Sequence, residues 1–127
     1  MIFNNAIYIL SLEGGNYYVG KSGNIPRRIQ DHFKGRGAAW TKLYKPVEVL
    51  DIVENKTLFT EDMITKQLML IYGIPYVRGG SYCQIKLSEC DLYCLNKELW
   101  GTRNLCFLCG GNHFVYRCKK KINFFSE

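Results

Sequence analysis

The stretch that most constrains the fold is residues 6–33, which predicts two strands, a tight turn and a helix in close succession. Residues 6–10 form a short apolar run with one tyrosine, which is typical of a strand buried on both faces. Gly14 and Gly15 follow, and glycine admits the positive φ angles that tight hairpin turns require. Residues 17–20 then return as the second strand. The pattern therefore predicts a β-hairpin.

A helix is predicted directly after this hairpin. Asn24 is a suitable N-terminal cap, and Pro26 is tolerated in the first turn because the amide hydrogen that proline lacks has no helical partner there. At helical spacing the apolar stripe consists of Ile25, Ile29 and Phe33. Arg28 and His32 border this stripe one turn apart, whereas Arg27 points toward solvent.

The polar residues of this stretch predict a phosphate-handling cluster. Arg28 and His32 lie next to the predicted hairpin, which carries Tyr8, Tyr18 and Lys21. Taken singly, each residue has an ordinary structural explanation, since a strand tyrosine is usually core and an exposed arginine is usually solvated. The hypothesis rests on their combination.

The same residues resemble the GIY-YIG nuclease family. Residues 6–8 and 18–20 match its two signatures, with Ala6 in place of the first glycine, and Arg28 followed by His32 matches the arginine and histidine of the family's next helix. The resemblance covers residues 5–80. It implies an α+β (mixed α/β) fold, with a three-stranded antiparallel sheet flanked by helices.

The resemblance also implies a metal-dependent endonuclease that hydrolyses phosphodiester bonds, with DNA as substrate. Glu61 would hold one Mg²⁺ or Mn²⁺ ion, with Asp62 as the second candidate. Tyr8 or Tyr18 would orient or deprotonate the attacking water, and Lys21 would lower the pKa of that tyrosine. Arg28 would clamp the scissile phosphate and His32 would position the water or the tyrosine. Two alternatives stay open. Acidic residues near a helix start are also favoured by the helix dipole. In addition, Tyr76 stands where the family commonly has asparagine, which favours a catalytically inactive DNA- or RNA-binding module.

The remainder of this region predicts a third strand and a second helix. Residues 47–53 alternate apolar and polar side chains, and residues 57–72 form a helix closed by Gly73. The stripe of that helix predicted to face the domain contains Glu61, Thr65, Leu68 and Tyr72. Residues 35–42 are predicted to be a basic loop whose Arg36, Trp40 and Lys42 contact nucleic acid, as Arg78 would further along. The alternative for Trp40 is an anchor in the core.

A further helix is predicted from its cap at Ser88 to about residue 100. Cys83, Cys90 and Cys94 are predicted to be buried thiols of the core, since free cysteine behaves as a small hydrophobic residue.

The C-terminal stretch has the spacing C-x2-C-x3-H-x4-C, which predicts a zinc site with Cys106, Cys109, His113 and Cys118 as ligands. It resembles the CCHC zinc knuckle of nucleic-acid-binding proteins, which has one more residue before the histidine. A disulfide framework is the alternative. The nucleic-acid contacts predicted for this segment are Phe107, Tyr116, Arg117, Lys119 and Lys120.

Length and charge complete the expectations. The 127 residues are predicted to divide into a nuclease-like domain (1–85), a connecting helix (86–103) and a zinc knuckle with a basic tail (104–127). A net charge of +6 suits a nucleic-acid partner, with branched or single-stranded regions as candidate substrates. No secretory signal and no membrane-spanning apolar run are recognisable. We therefore expect an intracellular protein, cytoplasmic or nuclear, with no membrane partner. A compact nuclease joined to a knuckle also resembles small proteins of mobile elements and large DNA viruses. The oligomeric state is left open.

Overall fold

The computed structural model describes residues 5–103 and 111–112. Contacts divide the chain into two compact units, Met1–Leu87 and Ser88–Glu127. The helices and strands are β1 (Ala6–Leu12), β2 (Asn16–Ser22), α1 (Ile25–Phe33), α2 (Ala39–Leu43), β3 (Pro46–Glu54), α3 (Thr60–Tyr72), β4 (Val77–Gly79) and α4 (Glu89–Thr102). The three-part division of the chain stays a prediction.

The first unit is built on a four-stranded mixed sheet with the strand order β3-β1-β2-β4. Strand β1 pairs antiparallel with both β2 and β3, whereas β4 runs parallel to β2. The α+β class is confirmed, but the prediction of three antiparallel strands is wrong. Strand β4 has only three residues, and its pairing of Tyr17 with Val77 joins distant parts of the chain. A run this short has no periodicity of its own.

The hairpin and helix α1 form as predicted. Gly14 and Gly15 both have φ 74°, and the side chain of Asn16 donates a hydrogen bond to the Glu13 carbonyl at 2.9 Å. Asn24 caps α1 by accepting a hydrogen bond from the Arg27 amide at 3.3 Å. These local signals depend only on residues that are neighbours in sequence, so the sequence is sufficient to identify them.

The buried face of α1 differs from the predicted stripe. Ile25 and Ile29 pack against the core cluster, but Phe33 is 46% exposed and His32 is completely buried. At the last turn the buried side of the helix is therefore one position away from the predicted stripe, with the imidazole inside and the phenyl ring half-exposed. Burial of a polar ring is tolerated where both of its nitrogens have hydrogen-bond partners.

The segment predicted as a basic loop contains the one-turn helix α2, and Trp40 lies inside the domain. Its side chain is 3% exposed, and its indole N–H donates a hydrogen bond to the Tyr17 carbonyl at 3.0 Å. The predicted nucleic-acid contact by Trp40 is therefore wrong, and the alternative of a core anchor is confirmed. The partner that holds Trp40 is a carbonyl 23 residues away, which the local sequence pattern does not indicate.

Arg78 is also a structural residue rather than a nucleic-acid contact. Its guanidinium lies 4.5 Å from the centre of the Trp40 ring, and the residue as a whole is 6% exposed. It donates hydrogen bonds to the carbonyl oxygens of Ile74, Val77, Gln84 and Ile85 at 2.7–3.0 Å. A guanidinium with these donors in use and no exposed face is not available to a phosphate. Arg78 instead ties residues 74–85 to the sheet.

Strand β3 and helix α3 match their predictions only in part. Four apolar residues of β3 are exposed, namely Val47, Val49, Leu50 and Ile52. Strand β3 is at the edge of the sheet, and its pairing with β1 shifts register between Ile9 and Leu10. Helix α3 begins at Thr60 rather than at residue 57. Its buried residues are Thr60, Thr65 and Met69, and Tyr72 is 43% exposed while stacked on Tyr17.

Helix α4 belongs to the second unit and begins where predicted. The Ser88 hydroxyl accepts a hydrogen bond from the Asp91 amide at 3.1 Å. Cys90 and Cys94 on this helix, and Cys83 in the first unit, are exposed free thiols, so the prediction of buried core cysteines is wrong. Among residues 5–103, no helix is long and apolar enough to cross a membrane.

Candidate active site

The site is centred on Tyr8, in the middle of β1. Tyr8 pairs with Gly20 of β2, and its ring lies directly over that glycine with 1% of the residue exposed. A Cβ atom at position 20 would collide with the ring and hydroxyl of Tyr8. Residue 20 therefore has to be glycine because the tyrosine side chain occupies the space above it.

The Tyr8 hydroxyl contacts His32 of α1. The distance between the hydroxyl oxygen and His32 Nε2 is 2.6 Å, which is a short hydrogen bond. The other ring nitrogen, Nδ1, lies 2.9 Å from the hydroxyl oxygen of Thr41 on α2. A Cβ atom at Gly37 would collide with the imidazole, so the backbone of residue 37 packs closely against His32. The imidazole is thus held on three sides by β1, α2 and the segment between the helices.

Arg28 and Glu61 bring opposite charges to the two tyrosines of the site. Burial raises the pKa of Tyr8, and a hydrogen bond from Arg28 together with its positive charge acts against that rise. Burial also raises the pKa of Tyr18, with Arg28 again opposing the rise and Glu61 adding to it. The tyrosines stay protonated at neutral pH, and Arg28 is the group that favours loss of a proton from them.

Glu61 occupies the first turn of α3 and is half-buried. Its carboxylate lies 4.0 Å from Lys21 Nζ and accepts a hydrogen bond from the backbone of Gly80. Burial nevertheless raises the pKa of Glu61, although Lys21 and this hydrogen bond act in the opposite direction. Lys21 and Gly80 therefore offset only part of the cost of burying the negative charge of Glu61.

Asp62, the second candidate for a metal ligand, has a structural role. One carboxylate oxygen accepts a hydrogen bond from the Ser81 amide at 2.8 Å, and the other accepts one from the Ser81 hydroxyl at 2.7 Å. These bonds fasten the turn after β4 to the start of α3. Both oxygens of Asp62 are thus engaged by Ser81, whereas the Glu61 carboxylate contacts Lys21 and the backbone of Gly80.

The side chains predicted as catalytic are connected in the structure by contacts or by mutual effects on pKa. They are Tyr8, Tyr18, Lys21, Arg28, His32 and Glu61. Of the predicted nucleic-acid contacts, Lys42 is exposed, and Arg36 is exposed with its guanidinium 3.8 Å from Asp31. Tyr76 is 47% exposed. The predicted zinc ligands and Phe107, Tyr116, Arg117, Lys119 and Lys120 lie outside the described residues.

Sequence reasoning missed Thr41 and two lysines. Lys34 and Lys45 join Lys42 around an open pocket of about 460 Å³, whose floor includes His32 and Thr41. No motif marks these lysines, because they follow α1 and α2 and meet only in the fold. A hydroxyl residue nine positions after the histidine is the sole signal for Thr41, and its meaning depends on the turn between the helices.

The pKa of His32 predicts how stability depends on pH. Burial lowers this pKa from 6.5 to about 4, Arg28 acts in the same direction, and Asp31 opposes it. Between these two pH values the unfolded chain binds a proton that the folded chain excludes, so the free energy of unfolding falls on acidification through this window. The full effect is about 3 kcal/mol.

Urea denaturation at pH 7 and at pH 5 measures this effect. The loss of stability on acidification should be clearly smaller in His32→Gln, whose side chain does not titrate, than in the wild type. The other titrating groups, including Glu61, are common to both proteins and cancel in the comparison. Equal losses in the two proteins would show that the protonation of His32 does not differ between the folded and unfolded states.

Comparison with known proteins identifies the class of domain that carries this site. The family model described as the GIY-YIG catalytic domain matches residues 4–61. A UPF0213 protein of Bacillus cereus is 39% identical over 80 residues, which are 60% of this chain and 82% of that relative. The chain belongs to the GIY-YIG family.

Other relatives match shorter parts. A UPF0213 protein of Xanthomonas campestris is 39% identical over 44 residues, covering 35% of this chain and 43% of the relative. The UPF0213 protein YazA of Bacillus subtilis is 28% identical over 64 residues, covering 50% of this chain and 57% of the relative. The chain thus spans less than half of the length of the Xanthomonas relative. No solved structure matches this chain.

Proposed function

We propose that this chain is a metal-dependent endonuclease that hydrolyses phosphodiester bonds, with DNA as its substrate. The observation that carries the proposal is the Tyr8 hydroxyl, which bonds to His32 Nε2 at 2.6 Å and also accepts a hydrogen bond from Arg28. A hydroxyl held between a base and a cation is prepared to take a proton from a water molecule. This arrangement favours Tyr8 over Tyr18 as the group that activates the water.

Arg28 is proposed to bind the scissile phosphate. Its side chain is half-buried, and its charge acts on Tyr8, Tyr18 and His32. A guanidinium binds phosphate oxygens with two parallel hydrogen bonds and stabilises negative charge that grows in the transition state. Because Arg28 already bonds to the Tyr8 hydroxyl, a phosphate bound to it would lie close to the activated water.

Glu61 is proposed as the protein ligand of one Mg²⁺ or Mn²⁺ ion. The donor set fits this ion, because Mg²⁺ is commonly held by one or two carboxylates together with waters and substrate phosphates. Residues 5–103 contain no cluster of three or more acidic, histidine or cysteine side chains, so Glu61 would act as a single ligand. When bound, the metal supplies Lewis-acid stabilisation of charge on the phosphate and leaving-group oxygens. Lys21, near the end of β2, would hold the Glu61 carboxylate in place.

The basic pocket is proposed to bind the substrate on either side of the scissile bond. Lys34, Lys42 and Lys45 line it together with the buried His32. Lysines that contact backbone phosphates release counterions, which gives affinity without sequence preference. This pocket takes over the part that the sequence had assigned to Trp40 and Arg78.

The C-terminal segment is proposed to be a zinc knuckle that tethers nucleic acid. Its support is the spacing of Cys106, Cys109, His113 and Cys118. We expect one equivalent of tightly bound zinc in the purified protein. Removing it should weaken nucleic-acid binding about tenfold or more through loss of the second contact, while the rate at saturating substrate stays nearly unchanged.

Metal analysis of the protein purified without added zinc tests this expectation, with Cys109→Ser as the variant and Cys83→Ser as the matched control. Zinc that is lost in Cys109→Ser and retained in Cys83→Ser supports the knuckle. The absence of zinc from the wild type, or disulfide bonds among these cysteines, would contradict it.

The second candidate function is a nucleic-acid-binding module without catalysis. The observation in its favour is Tyr76, which stands where the family commonly has asparagine and is 47% exposed. We favour catalysis because Tyr8, Arg28, His32 and Glu61 are all present and interact.

Cleavage of labelled oligonucleotides separates the two functions. The panel consists of single-stranded, duplex and branched DNA with matched RNA, incubated with Mg²⁺ or with EDTA. Metal-dependent cleavage by the wild type that is lost in Tyr8→Phe, with unchanged affinity in EDTA, supports the nuclease. Tight binding without cleavage of any member of the panel would support the binding module instead.

A further inference from the structure

The hydrogen bonds of Thr41 determine which atom is the donor in each hydrogen bond of the His32 ring. Its side chain is 1% exposed, and its hydroxyl oxygen lies 3.0 Å from the Ala38 carbonyl oxygen and 2.9 Å from His32 Nδ1. A carbonyl oxygen can only accept a hydrogen bond, so the single hydroxyl hydrogen of Thr41 is used on Ala38. Toward His32, the Thr41 oxygen is therefore an acceptor.

This direction determines which nitrogen of the imidazole carries hydrogen. Nδ1 has to donate to Thr41, so Nδ1 bears the hydrogen, and in the uncharged ring Nε2 has a free lone pair. The atom opposite Nε2 is the Tyr8 hydroxyl at 2.6 Å, which has to donate. The chain of donors then runs in one direction, from Arg28 to Tyr8 to His32 to Thr41 and to the main chain of residue 38.

We infer that Thr41 is a positioning residue, which holds His32 in the Nδ1–H tautomer so that Nε2 can accept the Tyr8 proton. The catalytic consequence rests on the proposed function, whereas the tautomer itself does not. In the opposite tautomer, Nε2–H would donate to the tyrosine oxygen and no proton could pass from Tyr8 to the ring.

The proton balance of the hydrolytic step follows from this arrangement. The water oxygen forms a bond to phosphorus while the bond from phosphorus to the leaving oxygen breaks. The water gives one proton to the Tyr8 oxygen as Tyr8 gives its own proton to His32 Nε2, so no free tyrosinate accumulates. The leaving oxygen takes a proton from solvent, and His32 later returns its proton to solvent. Thr41 continues to accept from Nδ1–H throughout, and it stabilises the imidazolium while that exists.

The tautomer can be read directly by nitrogen NMR, without any substrate. The chain has two histidines, and a His113→Gln variant identifies the signals of His32. At pH 7 the wild type and Thr41→Ser should show the Nδ1–H tautomer, because both keep a hydroxyl at this position. In Thr41→Val, which matches the shape but has no acceptor, the hydrogen should move to Nε2. An Nε2–H tautomer in the wild type, or an unchanged tautomer in Thr41→Val, would overturn the inference.

Kinetics then test the catalytic consequence. Thr41→Val should lower the single-turnover cleavage rate about 10–100-fold, by analogy with the loss of the hydrogen-bond partner that orients a metal-ligating histidine. Affinity measured in EDTA should not change, and Thr41→Ser should restore the rate to within a few-fold of wild type. Equal rates in Thr41→Val and wild type would overturn the positioning role. If the wild type cleaves nothing, the proposed function fails, and the NMR result decides the tautomer independently.

Discussion

Replacement of Arg28 by alanine is expected to lower the rate of phosphodiester cleavage about 10²–10³-fold, the usual cost of removing one charge-stabilising donor from an active site. Arg28 is the cation that acts on Tyr8, Tyr18 and His32 at once. Its removal takes away both the phosphate clamp and the hydrogen bond to the Tyr8 hydroxyl. Because the side chain is half-buried rather than part of the core, the fold should be preserved.

The adjacent residue offers a matched control for this substitution. Arg27 lies on the same helix but is exposed, so Arg27→Ala removes the same charge from the same element without touching the site. We expect Arg27→Ala to cleave within a few-fold of wild type under single-turnover conditions. Equal losses in both variants would mean that Arg28 contributes only to the general attraction of nucleic acid, and its proposed role would be wrong.

Replacement of Glu61 by glutamine is expected to reduce metal-dependent cleavage about 10³-fold or more, since Lewis-acid stabilisation by a bound metal is worth several kcal/mol. Glutamine keeps the shape of the side chain and removes its charge. Burial already raises the pKa of the Glu61 carboxyl, so the neutral amide should not destabilise the fold. Cleavage rates measured over a range of Mg²⁺ concentrations are the readout.

Glu48→Gln is the control for this second prediction. Glu48 is exposed on β3 and pairs with Ser11, at the opposite end of the sheet from Ala6 and Lys21. Its substitution removes one negative charge and should leave the Mg²⁺ dependence unchanged. If Glu61→Gln retained the wild-type rate at wild-type Mg²⁺ concentrations, Glu61 would not be the metal ligand. The half-buried carboxylate would then serve only to hold Lys21.

The parts of the fold that the sequence predicts are those controlled by neighbouring residues. The hairpin depends on Gly14 and Gly15, and the start of α1 depends on Asn24, so both are recognisable from a few consecutive letters. Strand β4 is missed because three residues have no pattern, and its place beside β2 is fixed only by tertiary contacts. Trp40 illustrates the same limit, since its indole is held by a carbonyl of β2.

In the candidate site, too, some residues are predictable from the sequence and others are not. Its charged and aromatic members are identified from residue type, spacing and the resemblance to the family, and the structure brings them into contact or electrostatic interaction. The residues that orient them were not identified, because Thr41 and Gly37 act through a close approach of α2 and its preceding segment to His32. Arg78 has the appearance of a nucleic-acid contact in the sequence, and only its four carbonyl partners reveal that it is structural.

The most direct test of the central claim is conversion of supercoiled plasmid to open circles by purified protein, with Mg²⁺ or EDTA, beside the Tyr8→Phe variant. Tyr8→Phe keeps the ring over Gly20 and removes only the hydroxyl that contacts His32. We predict that wild-type protein nicks the plasmid only in the presence of metal and that Tyr8→Phe does not nick it. Metal-dependent nicking that persists undiminished in Tyr8→Phe would contradict the account, because the hydroxyl at its centre would then be dispensable.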